Sequence, residues 1–236
     1  MTANLQGMTA VLLPGTGSDD DYIRRAFGGA LLDAGAVVIA PRPLPGDLIG
    51  GYVEALDAAA QLGPIIVGGV SLGAAVATNW ALKHPEQCIA VLAALPAWTG
   101  DSDGAPAAQA ARYSAQQLRE IGLDAAVAGM REGSPAWLAD ELTRSWTAQW
   151  PGLPDAMEEA AGYGGPTREQ LAELQVPMGV AGAVDDAVHP VAVAAEWAVA
   201  APRAALRTVT LDAMGEEPTV LGDACVAALR EAVSLL

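Results

Sequence analysis

Short, nearly continuous apolar runs alternate with longer segments of helical pattern along most of this chain, and this alternation narrows its folds most. A strand wetted on one face reads as alternating apolar and polar residues, whereas a parallel strand covered on both faces is apolar throughout. Six runs have the second character: Thr9–Leu13, Val37–Ala40, Ile65–Val70, Cys88–Leu95, Met178–Ala183 and Leu206–Leu211. Between them, Asp20–Asp33, Asp47–Leu62, Leu72–Lys83, Pro190–Ala200 and Thr219–Leu235 predict helices, several opening behind an Asp or a first-turn Pro. Repeated β-α units imply an α/β fold with a mostly parallel sheet of about six strands flanked by helices. The interval from Leu95 to Pro177 is far longer than one crossover helix needs. It holds further helical stretches at Ala107–Glu120, Asp124–Arg131, Pro135–Gln149 and Thr167–Leu174, with Trp137, Trp146 and Trp150 as apolar surface. The expectation is a single domain over residues 1–236, with a helical cap inserted at about residues 101–170 over the carboxyl edge of the sheet.

Composition excludes several classes of partner. With 52% hydrophobic and 17% charged residues the chain can bury a sizeable core. Twelve basic residues against 28 acidic ones give a net charge of −16, which disfavours nucleic acid and anionic membranes. No apolar run reaches the roughly 18–20 residues of a membrane span, and Met1 to Ala10 lacks the basic start of a signal peptide, so a cytoplasmic location is expected. Cys88 and Cys225 lie in apolar stretches far apart, which suits reduced, buried thiols. No cluster has the spacing of metal ligands, and Gly15-Thr16-Gly17 lacks the full dinucleotide or P-loop pattern, so neither metal nor cofactor is expected. The oligomeric state stays open, a homo-oligomer included.

The third run leads through Gly69-Val70-Ser71-Leu72-Gly73 straight into a helix. Glycines flanking a serine at a strand-to-helix turn allow the backbone to bend sharply and lift the hydroxyl into the open. The bland reading of such a turn is close packing, or an anion site at the helix N-terminus. In this strand, turn and helix the chain resembles the α/β-hydrolase superfamily, and the resemblance runs from Thr9 to the C-terminal helix. It implies Ser71 as nucleophile and an oxyanion hole built from the Leu72 amide and from Thr16 or Gly17, in the loop Pro14-Gly15-Thr16-Gly17-Ser18. Asp19, Asp20 and Asp21 read as caps of the next helix. The superfamily's acid follows the strand after the cap, where Gly182-Ala183-Val184-Asp185-Asp186-Ala187-Val188-His189-Pro190 offers Asp186 first and Asp185 second. Either also reads as a simple cap for the following helix.

The superfamily's histidine normally follows the last strand, yet Thr210-Leu211-Asp212-Ala213-Met214-Gly215-Glu216-Glu217-Pro218 contains none, and Glu216 stands in its place. A carboxylate cannot copy an imidazole's near-neutral titration without a strong shift. The chain has two histidines. His84 closes the helix after the elbow and reads as structural. His189, three residues beyond Asp186, reaches Ser71 if its loop folds inward, and otherwise marks only an exposed helix entry. Its partner is Asp186, Asp185, or one of Asp101 and Asp103 after the fourth strand, a relocated position that some members use. Trp98 is expected either to line a substrate pocket or to pack the core, and Arg42 either to bind an acidic group or to be solvated. The first functional reading is a serine hydrolase of esterase or thioesterase type, acting on a small acyl substrate through an acyl-serine intermediate. The second is a catalytically atypical protein of the same fold: a ligand-binding pseudoenzyme, a lyase or a cyclase.

Overall fold

The computed structural model describes residues 5–234. Residues 1–4 and 235–236 lie outside it, and with them the start of the Met1 to Ala10 stretch and the last residue of the expected Thr219–Leu235 helix. The chain runs β1 (Thr9–Leu13), α1 (Asp20–Asp33), β2 (Val37–Ile39), α2 (Leu48–Ala60), β3 (Ile65–Val70), α3 (Leu72–Lys83) and β4 (Cys88–Ala94). An insertion follows, comprising α4 (Pro106–Glu132), α5 (Ala136–Gln149), α6 (Leu153–Ala161) and α7 (Arg168–Ala172). The chain then completes the sheet with β5 (Met178–Ala183), α8 (Val191–Ala200) and β6 (Ala204–Val209), before α9 (Leu211–Glu216) and α10 (Thr219–Ser234). The sheet has six strands in the order β2-β1-β3-β4-β5-β6, every pair parallel.

Alternate strand residues feed two separate cores, as the two-residue period of a pleated strand requires. Val11, Leu13, Val67, Val91 and Val180 face α2, α3 and α8, where Tyr52, Trp80 and Trp197 are buried. Leu12, Ile66, Leu92 and Ala181 face α1 and α10, against Phe27, Leu31, Cys225 and Leu229. Burying a side chain of this size stabilises the fold by about 1.5–3 kcal/mol. Helix α3 is buried for most of its length, which suits its run of small apolar residues. Both cysteines are free and buried, and burial pushes the Cys88 thiol up to about 12.

Four details depart from the expected pattern. Strand β2 lies at the sheet edge, so Val37 and Ile39 are exposed rather than covered on both faces. The two helices expected on either side of residues 121–123 form one long element broken at Gly122, whose φ of 77° only glycine adopts readily. Helix α6 lies where no helix is expected; Pro154 sits in its first turn, where its missing N–H costs nothing. Strand β6 ends two residues early. Thr210 caps α9 by accepting from the Ala213 amide at 3.1 Å, which draws Leu211 out of the strand and into a helix.

The insertion has a small core of its own, formed by Leu118, Trp146, Leu153 and Met157. It is also fastened to the sheet layers. The first amides of α2 need an acceptor from outside the helix, and Asp47 makes no side-chain cap bond. Glu159 of α6 supplies one, taking the Leu48 and Ile49 amides at 2.9 and 3.0 Å. Replacing Glu159 by Ala should therefore cost about 1–2 kcal/mol. A thermal melt checks this, with the midpoint expected to fall by a few degrees.

Candidate active site

The chain enters the sheet at β1, steps to β2 on one side and returns to β3 on the other. The loops leaving β1 and β3 therefore diverge at their carboxyl ends and open a crevice, the usual ligand position in an open parallel sheet. Ser71 stands at this point with φ 55° and ψ −115°, a conformation that costs a non-glycine residue roughly 1–3 kcal/mol. Its neighbours hold it there. The Ser71 amide donates to the Ala94 carbonyl at 2.9 Å, and its carbonyl accepts from Ala75 at 3.2 Å. A Cβ at Gly69 or Gly73 would stand 2.3 or 2.2 Å from the Leu13 carbonyl oxygen, so the end of β1 presses on the elbow where only glycine fits.

The loop after β5 folds inward because Asp186 organises it. Asp186 Oδ1 accepts from the amides of Val188 and His189 at 2.8 and 3.1 Å, which curls the chain so that the imidazole faces the elbow. His189 Nδ1 lies 2.8 Å from Asp186 Oδ2, and His189 Nε2 lies 3.0 Å from Ser71 Oγ. Burial works against ionisation of Asp186, but the His189 ring and the two backbone amides outweigh it and hold the carboxyl below its ordinary value of 3.8. An ionised carboxylate only accepts hydrogen bonds, so in neutral His189 the proton resides on Nδ1. Nε2 is then left as the acceptor for the serine hydroxyl. The three side chains thus form a directed line from carboxylate to imidazole to hydroxyl, the arrangement that acyl transfer through serine requires.

The remaining candidates separate clearly. Asp185 is exposed and accepts from the Leu211 amide at 2.8 Å, joining the loops after β5 and β6 rather than turning toward His189. Asp101 and Asp103 are exposed after β4; Asp101 accepts from the Asp103 amide, and Asp103 pairs with Arg112. Glu216 is an exposed residue at the end of α9, because the expected loop is helical and turns Leu211 and Met214, not the glutamate, to the cavity. Of the two loop candidates for the oxyanion hole, Thr16 is among the residues lining the cavity beside Ser71 and Gly17 is not; the Gly17 carbonyl accepts from Ser145 of the insertion. Leu72 is the first residue of α3, so its N–H has no acceptor within its own helix. Trp98 lines the cavity and packs with Ala97, Ala108 and Ala161, and its Nε1 donates to the Tyr163 carbonyl at 3.1 Å. His84 ends α3 stacked on Trp80, with ring centroids 4.6 Å apart. Arg42 is solvated, 3.7 Å from Asp20.

The cavity over Ser71 measures about 300 Å³ and is mostly apolar. Much of its wall comes from the insertion, including Leu138, Glu141, Leu142 and Ser145 of α5, which sequence reasoning did not assign to the site. Their spacing of three and four residues is a helical stripe, and that period was the available signal. Leu95, at φ 47° in the wall beyond β4, had no comparable signal. Among the lining residues none is lysine or arginine, and the carboxylates are Asp186 and Glu141. Glu141 is neutralised by Arg25 and Arg144 at 2.6 and 3.0 Å. Among the described residues no group of His, Cys, Asp and Glu is placed to hold a metal ion, and no helix is long and apolar enough to cross a membrane.

No family model matches the sequence, and no curated protein does. Solved structures similar over nearly the whole chain include a carboxylesterase from the ammonia-oxidizing thaumarchaeon Nitrososphaera gargenis, with a TM-score of 0.74 and 17% identity over 97% of this chain and 92% of that one. A thermophilic esterase from Thermogutta terrifontis matches with a TM-score of 0.69 and 18% identity, covering 96% and 91%. The enol-lactonase of Burkholderia xenovorans LB400 matches with a TM-score of 0.68 and 18% identity, over the same shares.

The lowered pKa of Asp186 makes the stability of the protein depend on pH. A carboxyl whose folded value lies below 3.8 stabilises the protein above that pH and loses its contribution as pH falls through the folded value. Asp186→Asn should therefore unfold at lower urea than the parent at pH 7, by on the order of 1 kcal/mol. Urea titrations repeated toward pH 3 should find the gap closing.

Proposed function

We propose that this chain, which has the α/β-hydrolase fold, is a serine hydrolase that cleaves small, uncharged acyl esters or thioesters through an acyl-serine intermediate. The observation that carries the reading is the line from Asp186 through His189 to Ser71, at 2.8 and 3.0 Å, opening into a walled cavity. Ser71 Oγ attacks the acyl carbon while His189 Nε2 takes its proton, forming the carbon–oxygen bond of a tetrahedral intermediate. Asp186 holds the ring by Nδ1 and stabilises the imidazolium. The amides of Leu72 and Thr16 are the donors for the oxyanion. Collapse of the intermediate breaks the bond to the alcohol or thiol, which leaves with the proton from His189. Water, deprotonated by the same imidazole, then releases the acid and restores Ser71. The similar structures include esterases and an enol-lactonase, names that agree with an ester-cleaving reading. The alternative, a binding protein, lyase or cyclase, is motivated by the missing histidine after the last strand; the imidazole of His189, 3.0 Å from Ser71 Oγ, favours the hydrolase.

The substrate class follows from the cavity. At about 300 Å³ the cavity stands at the small end of the range for ligand pockets. An acyl group of a few carbons fits, and no lysine or arginine lines the wall to pair with a carboxylate or phosphate. Two measurements test the proposal. A fluorophosphonate should add once to the intact protein, with loss of fluoride, and Ser71→Ala should abolish the adduct. His189→Ala should lower ester turnover by roughly 10⁴-fold. For the substrate class, kcat/KM for 4-nitrophenyl butyrate should exceed that for the mono-4-nitrophenyl ester of succinate by about tenfold or more, as an unpaired buried charge costs at least 1.4 kcal/mol. Equal rates would exclude the uncharged class.

A further inference from the structure

One flank of α5 grips three consecutive residues of the loop that leaves β1. Ser145 Oγ donates to the Gly17 carbonyl at 2.5 Å, and Gln149 Nε2 donates to the Ser18 carbonyl at 3.0 Å. Arg144 forks onto Asp19, its terminal nitrogens 2.5 and 2.9 Å from the two carboxylate oxygens. Ser145 and Gln149 stand one turn apart on the same helical face. Trp146 fills the space between helix and loop, so that a Cβ at Gly17 would lie 2.7 Å from its Nε1. Asp19, Ser145, Trp146 and Gln149 are all buried, where such bonds meet little competition from water. Burial opposes ionisation of Asp19, yet Arg144 and the first amides of α1 hold its carboxyl below the ordinary value.

The grip leads to one particular amide. A peptide group is planar, so its carbonyl and the N–H of the next residue turn together. Ser145 holds the Gly17 carbonyl and with it the Ser18 N–H, which donates to the Gly15 carbonyl at 3.0 Å. The Gly15 carbonyl shares its plane with the Thr16 N–H. Two peptide groups in series therefore connect the Ser145 hydroxyl to the Thr16 amide, and hydrogen bonds in such a chain polarise one another.

We propose that Ser145 is a positioning residue that orients and polarises the Thr16 N–H toward the carbonyl oxygen of an acyl group on Ser71, while Gln149 and Arg144 keep the loop in register. The inference rests on the hydrolase reading above. It makes a helix of the insertion part of the oxyanion machinery as well as a wall of the cavity.

The test is steady-state hydrolysis of 4-nitrophenyl butyrate by the parent, Ser145→Ala, Gln149→Met and the control Thr147→Ala, whose exposed hydroxyl bonds back to its own helix at 2.7 Å. Ser145→Ala should lower kcat about tenfold or more with KM within about twofold, as a small misplacement of a reacting geometry does. Gln149→Met should fall in the same direction by less, and Thr147→Ala should match the parent. Binding of an alkyl trifluoromethyl ketone, whose hemiketal with Ser71 places an oxyanion on the same donors, should weaken by the same factor as kcat/KM. A mere wall residue would raise KM, leave kcat alone and spare the ketone; that pattern overturns the inference. Should Ser145→Ala melt near the assay temperature, Gln149→Met carries the test, and a kcat equal to the parent's then overturns it. A parent that neither turns over the ester nor labels at Ser71 overturns the hydrolase reading and this inference together, whereas an active parent with unchanged variants overturns the inference alone.

Discussion

The carboxylate of Asp186 takes two backbone amides with one oxygen and the His189 ring with the other, and the site is organised around that double use. A carboxylate this well satisfied stays ionised despite burial. Ionised, it fixes the proton on Nδ1 and leaves Nε2 to face Ser71. The same residue therefore shapes a loop, selects a tautomer and aims an imidazole at Ser71. Removing its charge disturbs all three together.

The other half of the site is held by strain and close packing. Ser71 adopts a backbone conformation that few residues accept, and it does so between a strand and a helix that are both buried. Gly69 and Gly73 let the end of β1 press against the turn, so the loop that follows β1 begins next to the serine. That loop is then caught from the other side by α5. The insertion is accordingly more than a roof. It is fastened to α2 by Glu159 and to the loop after β1 by Arg144, Ser145 and Gln149. Ser145 lines the cavity while it holds the Gly17 carbonyl, so the shape of the cavity and the course of the loop depend on the same packing.

How much was legible depended on how local the cause was. The apolar runs of β1, β3 and β5 and the caps of α1 and α3 report the structure of their own segments, and their bounds were readable. The end of β6 was misread because the apolar residues continue through Leu211, while the Thr210 cap turns the chain into α9. Helix α6 is short and opens with a proline in its first turn, a start that the apolar period alone does not mark. Among the acids, Asp185 and Asp186 are neighbours of identical chemistry. Only the fold shows that one reaches the Leu211 amide and the other the imidazole.

By itself the sequence determined the layered sheet and the serine elbow, because a two-face apolar period and a glycine-flanked turn are consequences of residues within a few positions of each other. The absence of a histidine after the last strand was equally plain in it. What the tertiary structure decided is where the imidazole comes from instead. His189 and Ser71 are 118 residues apart, and their meeting depends on β5 lying beside β4, on Asp186 curling its loop, and on α5 closing the opposite edge. No periodicity encodes a contact of that range, since it is set by the order of strands in the sheet and the direction in which one short loop turns.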